Sequence, residues 1–229
     1  MTVDGSGVAT VTGSSGLNFP TTRGAFDETP FSTELYVTRF DPSGSRLLYS
    51  TFLGGNGAEF PGPILATPDG RITVSGNSTG NYPVTPHALI PAFIGGSTDS
   101  VVTTFDLQFA GVRSLGAGGF SCRGPVLLNA TSMPEAGAPF GVYCTQAPSS
   151  AQGFLVLQPA TASGDPIEGA LAWIGLLESD DVGYLEVSLN QLPLVRGLVF
   201  RCQAFFLPTP TCPGMGPLIP SNSLLVEVQ

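Results

Sequence analysis

The sequence contains no lysine and one histidine, and its eight basic residues, all arginines, are set against 17 acidic residues. The resulting net charge is −9, and the arginines are scattered along the chain. Nucleic-acid binding needs clustered cations that neutralise phosphates, so we expect no nucleic-acid partner. A lysine-free chain rich in alanine, glycine and proline is typical of a GC-rich bacterial genome.

Long apolar segments are also absent. No stretch approaches the roughly 18 apolar residues of a membrane-spanning helix, which predicts no membrane span. Long helices are disfavoured, because 30 glycines and 21 prolines are spread over the 229 residues. The 42% share of hydrophobic residues is too high for a disordered chain. Composition therefore predicts a folded protein with frequent turns, and its length suits two domains.

Cysteine is missing from the first half of the chain, whereas the second half has four. No C-x-x-C pair occurs and the one histidine is remote, which argues against a zinc site. We therefore expect two disulfides and an oxidising compartment. Three pairings are open, and a Pro-x-Pro turn between the last two cysteines favours 202–212, which leaves 122–144. The four residues are Cys122, Cys144, Cys202 and Cys212.

An internal repeat organises the first half of the chain. Residues 3–26 and 67–89 align at a constant shift of 63 positions, and residues 36–41 and 101–106 align at a shift of 65. A repeat of this length is typical of stacked supersecondary units. The matched residues at the first shift are Gly7, Val11, Gly13, Pro20, Thr22 and Ala25 with Gly70, Val74, Gly76, Pro83, Thr85 and Ala88.

Turn signals within the repeat predict antiparallel hairpins. Residues 34–40 and 46–52 read as two strands joined by Asp41-Pro-Ser-Gly, the residue preference of a type I turn. A second turn, at 68–70, leads into a strand at 71–75. Residues 101–106 are expected to pair with 111–115 in the same way, although the Asp-Pro-Ser-Gly signature is missing there.

These motifs resemble the SBBP-type bacterial β-propeller repeat family. The likeness is carried by VTGSSGLNFPTTRGAF, by YVTRFDPSGSRLLYSTFLGG and by the second copy, VSGNSTGNYPVTPHAL, and it covers residues 1–115. The resemblance implies four-stranded sheets arranged like propeller blades in secreted or surface proteins, and it implies no catalytic activity. Extracellular polysaccharides or proteins are the expected partners.

Two copies of the repeat are fewer than the roughly four to eight blades that close a propeller. We therefore expect a fragment of a longer array, self-association of several chains, or direct packing of the two sheets. The start, Met1-Thr-Val-Asp, has neither the basic residues nor the apolar core of a signal peptide. This favours a sequence that begins inside a longer secreted protein.

Residues 116–229 are expected to form a second domain. A glycine-rich stretch at 116–124 marks the boundary, and six or seven short apolar segments with turns between them follow. This pattern predicts a disulfide-held β-sandwich. The segment also resembles, loosely, a C-terminal module of large secreted proteins from environmental bacteria, which names no ligand. The expected strands are 139–144, 153–158, 169–174, 184–188, 198–206 and 223–228.

One short motif suggests a serine hydrolase. Gly76-Asn-Ser-Thr-Gly80 fits G-x-S-x-G, with Ser78 as nucleophile, His87 as base and Asp69 or Asp99 as the orienting acid. That motif needs a strand turning sharply into a helix. The same segment aligns with the first copy of the repeat, so we favour an interpretation as a turn.

Carboxylates offer two further hypotheses. A glycosidase pair could come from Asp180-Asp181 with Glu178, or from Asp27-Glu28, but adjacent acids on a strand point to opposite faces. Calcium could bind turn oxygens, although each of these turns is sufficient without a metal. The calcium candidates are Asp4, Asp41 and Asp69.

Aromatic residues could stack on sugar rings, but most lie in apolar segments that are typical of a core. We expect any exposed aromatic patch at Phe205 and Phe206. The sequence as a whole favours a non-catalytic, secreted or surface-displayed binding or assembly module without a required cofactor. One alternative is a secreted hydrolase. Another is a spacer or terminal sorting domain, which would bind no small molecule.

Overall fold

A computed structural model describes residues 1–66, 71–168, 173–213 and 216–229, with the backbone alone for Trp173 and Ile174. Antiparallel strands and turns make up this part of the chain, and it contains no helix. The prediction of an all-β fold is therefore confirmed. It follows that none of the described residues belongs to a helix able to cross a membrane.

The chain divides into two compact units. The first comprises Met1–Val3 and Ala9–Leu107, and the second comprises Asp4–Val8 and Gln108–Gln229. The sequence places a domain boundary after residue 115, whereas the chain enters the larger segment of the second unit at Gln108. Val112–Leu115, which lies between these two points, forms a strand of the second unit.

The first unit contains two antiparallel sheets. One has four strands in the order β1-β2-β3-β4 and the other has three in the order β5-β6-β7. The strands are β1 (Thr2–Val3), β2 (Ala9–Ser15), β3 (Glu34–Phe40), β4 (Leu47–Leu53), β5 (Glu59–Ala66), β6 (Ile72–Ser78) and β7 (Asp99–Phe105).

The second unit contains sheets of five, three and two strands. Their orders are β14-β13-β16-β17-β8, β11-β12-β15 and β10-β9. The strands are β8 (Val112–Leu115), β9 (Phe120–Ser121), β10 (Gly124–Pro125), β11 (Leu127–Ala130), β12 (Gly141–Thr145), β13 (Gln152–Pro159), β14 (Trp173–Glu178), β15 (Leu185–Ser188), β16 (Val199–Phe206) and β17 (Ile219–Glu227). Residues 169–172 of the predicted strand at 169–174, and the predicted turn at 68–70, lie outside the described residues.

The hairpin of β3 and β4 shows why these residues form strands. Asp41 Oδ1 accepts a hydrogen bond from the Arg46 amide at 3.0 Å, and the Gly44 amide donates to the Asp41 carbonyl. Gly44 has a φ of 70°, which glycine adopts without a steric penalty. The turn brings Leu35 and Leu53 into register, and both side chains are buried.

Strands of the two aligned sequence segments begin at equivalent positions. The shift of 63 carries Ala9–Ser15 onto Ile72–Ser78, and the shift of 65 carries Glu34–Phe40 onto Asp99–Phe105. The second shift also carries the start of β4 onto the start of β8, at Val112. Three strands of one copy thus have counterparts that begin at the equivalent residue of the other.

The pairing of β8 differs from the prediction. Residues 112–115 pair with β17, from Val112 with Val226 to Leu115 with Ser223, and do not pair with β7. The physical reason is the connection between β7 and β8. It lacks the turn signature, and its apolar residues Leu107 and Phe109 are 3% and 2% exposed, so the connection is not a solvent-exposed reversal.

Two sheets of the second unit face each other as a β-sandwich. Residues of β16 alternate between buried and half-buried, with Phe200, Cys202, Ala204 and Phe206 on the buried face. The Phe200 ring meets that of Phe140 in an edge-to-face contact, with centroids 6.4 Å apart. Because Phe140 immediately precedes β12, this contact places β12 and β16 on opposite sides of one core.

The predicted cysteine pairing is wrong. One disulfide joins Cys122 to Cys212, and Cys144 and Cys202 are buried thiols. Cys202 lies in the middle of β16, between Leu157 of β13 and Leu224 of β17, and points into the core. Four more residues of β16 follow before the chain can turn, so the Pro-x-Pro segment does not return Cys212 to it.

Candidate functional site

Two glutamates of the first unit bring their carboxyl groups together. Glu34, the first residue of β3, is 1% exposed, and Glu59, the first residue of β5, is 0% exposed. A Cβ atom on Gly54 would stand 2.4 Å from Glu59 Oε2 and 2.8 Å from Glu34 Cδ. The two carboxyl groups therefore meet over Gly54, at a point where any larger residue would collide with them.

Each of these carboxyl groups has one bonded oxygen. Glu34 Oε1 accepts a hydrogen bond from the Phe31 amide at 2.5 Å, and Glu59 Oε1 accepts one from the Ser78 hydroxyl at 2.7 Å. The Oε2 atoms of both glutamates are buried and have no hydrogen-bond partner in the described part of the chain. Buried polar atoms are nearly always hydrogen-bonded, so a pair of exceptions at one place is unusual.

The surroundings of the pair disfavour ionisation. Burial raises the pKa of both carboxyl groups, because removal from water penalises the charged form. The pKa of Glu59 is raised further by Glu34, and that of Glu34 by Asp27. Hydrogen bonds act in the opposite direction: those of Ser78 and the Gly55 backbone lower the pKa of Glu59, and those of the Phe31 and Ser32 backbone lower that of Glu34. A pair of this kind can hold a proton near neutral pH or can coordinate a hard cation.

Ser78, the proposed nucleophile, is a buried member of this cluster. It is 0% exposed, it ends β6, and its hydroxyl oxygen lies 2.7 Å from Glu59 Oε1 and 3.1 Å from the Gly80 carbonyl. The residues that follow form a bend and not a helix. These contacts make Ser78 a hydrogen-bond donor to a buried carboxyl group.

The side chains of His87 and Asp99 are not hydrogen-bonded to the Ser78 hydroxyl, whose partners are Glu59 and Gly80. His87 is exposed and lies in the segment between β6 and β7. Asp99 is the strand partner of Ser78 on β7, but its Oδ2 accepts a hydrogen bond from the Ile94 amide at 2.8 Å. Asp69 lies outside the described residues. The structure thus brings together Ser78 and Glu59, a combination that the motif did not predict.

The acids proposed for a glycosidase serve as turn acceptors or are exposed. Asp180 Oδ1 accepts hydrogen bonds from the Val182 and Tyr184 amides at 3.0 and 2.7 Å. Glu178 and Asp181 are exposed.

The second acidic pair behaves in the same way. Asp27 Oδ1 accepts a hydrogen bond from the Thr29 amide at 3.0 Å, and Glu28 Oε1 accepts one from the Gly24 amide at 2.8 Å. Carboxylates in this position stabilise turns by replacing a backbone acceptor. These bonds account for both acids without a catalytic role.

The proposed calcium ligands are likewise engaged within their own turns. Asp4 Oδ1 accepts hydrogen bonds from the Ser6 and Val8 amides at 2.9 and 3.1 Å. Asp41 accepts from the Arg46 amide and from the Ser43 hydroxyl. Asp69 is not among the described residues, and in those that are, no three or more His, Cys, Asp or Glu side chains form a metal-binding group.

The aromatic side chains do not form the expected exposed patch at Phe205 and Phe206. Phe206 is fully buried, whereas Phe205 is half-buried and stacks on Phe154 with ring centroids 5.3 Å apart. The two residues differ because neighbours on a strand point to opposite faces. The most exposed aromatic rings lie elsewhere, at Phe26, Phe31, Phe60 and Phe120.

The aligned sequence segments contained a pattern that could have pointed to one member of the carboxyl pair, Glu34. Ser15 faces Glu34 across β2 and β3, and Ser78 faces Asp99 across β6 and β7. The two shifts that define the repeat carry the first pair onto the second, so a serine opposite an acid recurs at the same register.

Comparisons with protein-family models, with curated proteins and with solved structures found no match.

Proposed function

We propose that the chain is a non-catalytic assembly module of a secreted or cell-surface protein, and that it assembles through the outer edge of β7. The observation that carries this proposal is a difference between the repeat copies. In the first copy, β3 is paired on both edges, by β2 and β4. Its counterpart β7 is paired by β6 alone among the described residues, because β8 pairs with β17.

The free edge of β7 has the properties of a strand acceptor. An edge strand presents backbone donors and acceptors on its outer side, and proteins bind extended segments there by adding a strand to the sheet. The strand reads DSVVTTF, which is rich in β-branched residues and has neither proline nor lysine to protect the edge. Its Val102 side chain is 73% exposed.

Apolar surface beside β7 could bind the side chains of an added strand. A groove along Val101–Thr104 is bordered by Tyr82, Val84 and Ile90 from the preceding segment. Ile90 is 51% exposed and the neighbouring Leu89 is 98% exposed. Apolar exposure concentrated at one place is typical of an interaction surface.

We infer that the partner is a strand equivalent to β4 from another copy of the repeat. The resemblance to propeller repeats supports this choice, since each blade of a propeller has four strands. The Cys122–Cys212 disulfide supports an oxidising compartment, and hence secretion or surface display.

A peptide of residues 46–54 tests the proposal. Fluorescence anisotropy of the labelled peptide should show saturable binding to the full chain. A control peptide with proline at positions 49 and 51 should not bind, because proline removes backbone donors. Val102→Lys should weaken binding, whereas Leu176→Lys, at a residue 93% exposed in the second unit, should not. Equal binding of both peptides, or none, would refute the proposal.

A further inference from the structure

We propose that the gap between the carboxyl groups of Glu34 and Glu59 binds a divalent cation of the calcium class. The site is distinct from the calcium candidates suggested by the sequence, and it is independent of the edge of β7. It is defined by Glu34 Oε2 and Glu59 Oε2, the two buried atoms without a hydrogen-bond partner.

Two buried carboxyl oxygens at this place lack a hydrogen-bond partner among the described residues. A buried carboxyl oxygen without a partner costs free energy, because its interaction with water is lost and nothing replaces it. Two such atoms belong to groups that meet over Gly54. A cation bound between the two groups would give each Oε2 the partner that it lacks.

The charge and the chemical type of these side chains suit a divalent cation. Two carboxylates carry a charge of −2 when ionised, which a divalent cation neutralises. Carboxylate and hydroxyl oxygens are the ligands that hard cations prefer, and calcium accepts irregular sets in which carboxylates bind through one or two oxygens. Calcium also completes its coordination with backbone carbonyls and water.

The side chains of this cluster come from both sheets of the first unit. Glu34 begins β3 in the four-stranded sheet, whereas Glu59 begins β5 and Ser78 ends β6 in the three-stranded sheet. A cation here would join strands of both sheets of the first unit. Gly54, which follows β4 directly, has no side chain to occupy the place where the two carboxyl groups meet. A cation bound in this way would stabilise the folded chain by mass action.

Binding should depend on pH, since a cation competes with protons for the same oxygens. The pKa of each carboxyl group is raised by burial, with further contributions from Asp27 at Glu34 and from Glu34 at Glu59. Burial raises the pKa of Tyr82 to about 12, and the charge of Glu59 contributes to this shift. Tyr82 therefore stays neutral over this pH range. Affinity should therefore fall as the solution is acidified.

Isothermal titration of the full chain with calcium chloride, after treatment with EDTA, tests the proposal. We expect one site per chain at pH 7.5 and weaker binding at pH 5. Glu59→Gln and Glu34→Gln should each abolish the binding heat, whereas Asp41→Asn, which alters a turn acceptor, should retain it.

The thermal melting temperature, Tm, provides a second readout that also shows whether the variants fold. Calcium should raise Tm of the wild type and of Asp41→Asn but not that of Glu59→Gln. Without calcium, Glu59→Gln should melt at or above the wild-type temperature, because a buried charge is removed. Absence of saturable binding by the wild type, or binding that persists in Glu59→Gln, would overturn the assignment.

Discussion

The side chain of Asn222 forms two hydrogen bonds with the backbone of Leu128 in the opposite sheet of the sandwich. Its Oδ1 accepts from the Leu128 amide at 2.6 Å, and its Nδ2 donates to the Leu128 carbonyl at 3.1 Å. The same Nδ2 lies 2.9 Å from Ser114 Oγ on β8. The side-chain amide of Asn222 therefore links β17 to both β11 and β8. The sequence had predicted that the residues of β8 belong to the first domain.

Replacement of Asn222 should destabilise the protein. Asn222→Ala leaves the Leu128 amide and carbonyl without their side-chain partner in a buried site, which costs about 1–3 kcal/mol for each unsatisfied group. Urea unfolding measures the loss of free energy. The control is Asn77→Ala, at an exposed residue of β6, which should change stability by no more than about 0.5 kcal/mol. Equal effects of the two substitutions would contradict the role assigned to Asn222.

Stability without calcium should fall as pH rises, through the carboxyl pair. Because the pKa values of Glu34 and Glu59 are raised from 4.5 in the folded state, that state binds protons where the unfolded chain has released them. Their contribution is complete below the unfolded pKa and is lost as pH rises through the folded pKa. Urea unfolding in EDTA across this range should show the decline, and Glu34→Gln/Glu59→Gln should reduce it. An unchanged slope in the double variant would contradict the prediction.

The cysteines should titrate as two thiols and one disulfide. Burial raises the pKa of the Cys144 and Cys202 thiols, and Cys144 raises that of Cys202 further, so neither should react with a thiol reagent in the native protein. In denaturant without reductant, two thiols per chain should react. The two-disulfide arrangement expected from the sequence would give none.

Loss of the disulfide should be costly. Cys122 and Cys212 are 90 residues apart in the chain, so their link restricts the unfolded state strongly. Cys122→Ser/Cys212→Ser should lower the free energy of unfolding by about 4 kcal/mol on the chain-entropy model. Cys144→Ser/Cys202→Ser keeps the Cys122–Cys212 link, so its free energy of unfolding should be lower with reductant than without it. Equal values in the two conditions would contradict a stabilising role of the disulfide.

Ser78→Ala tests whether Ser78 has a structural role or acts as a nucleophile. Removing the hydroxyl takes a hydrogen bond from Glu59 Oε1, which should cost about 1–3 kcal/mol and raise the pKa of Glu59 further. Hydrolysis of a p-nitrophenyl ester should be the same in the variant and in the wild type. Enzymatic turnover by the wild type that disappears in Ser78→Ala would favour the hydrolase hypothesis instead.

Local signals were enough to predict most strands. The strand expected at 34–40 is β3 residue for residue, and that expected at 198–206 begins one residue before β16. Both follow from β-branched and aromatic residues between turn signals, which act over a few positions. The turn at Asp41 was predictable for the same reason, since its hydrogen bonds span five residues at most.

Long-range choices were not predictable in this way. Val112–Leu115 has the composition of a strand, but its pairing with β17 depends on contacts more than 100 residues away, including Asn222. The packing of whole strands also determines which cysteine pairs with Cys212. It likewise determines that Glu34 and Glu59 lie side by side. A single sequence contains the residues for these contacts but no local pattern that pairs them.

Hydrogen exchange at the amides of β7 tests the central claim most directly. The full chain is measured alone and with the peptide of residues 46–54 in excess. We predict slower exchange for amides within Asp99–Phe105 when the peptide is present, because an added strand bonds to that edge. Peptide binding that leaves exchange across Asp99–Phe105 unchanged would contradict the account.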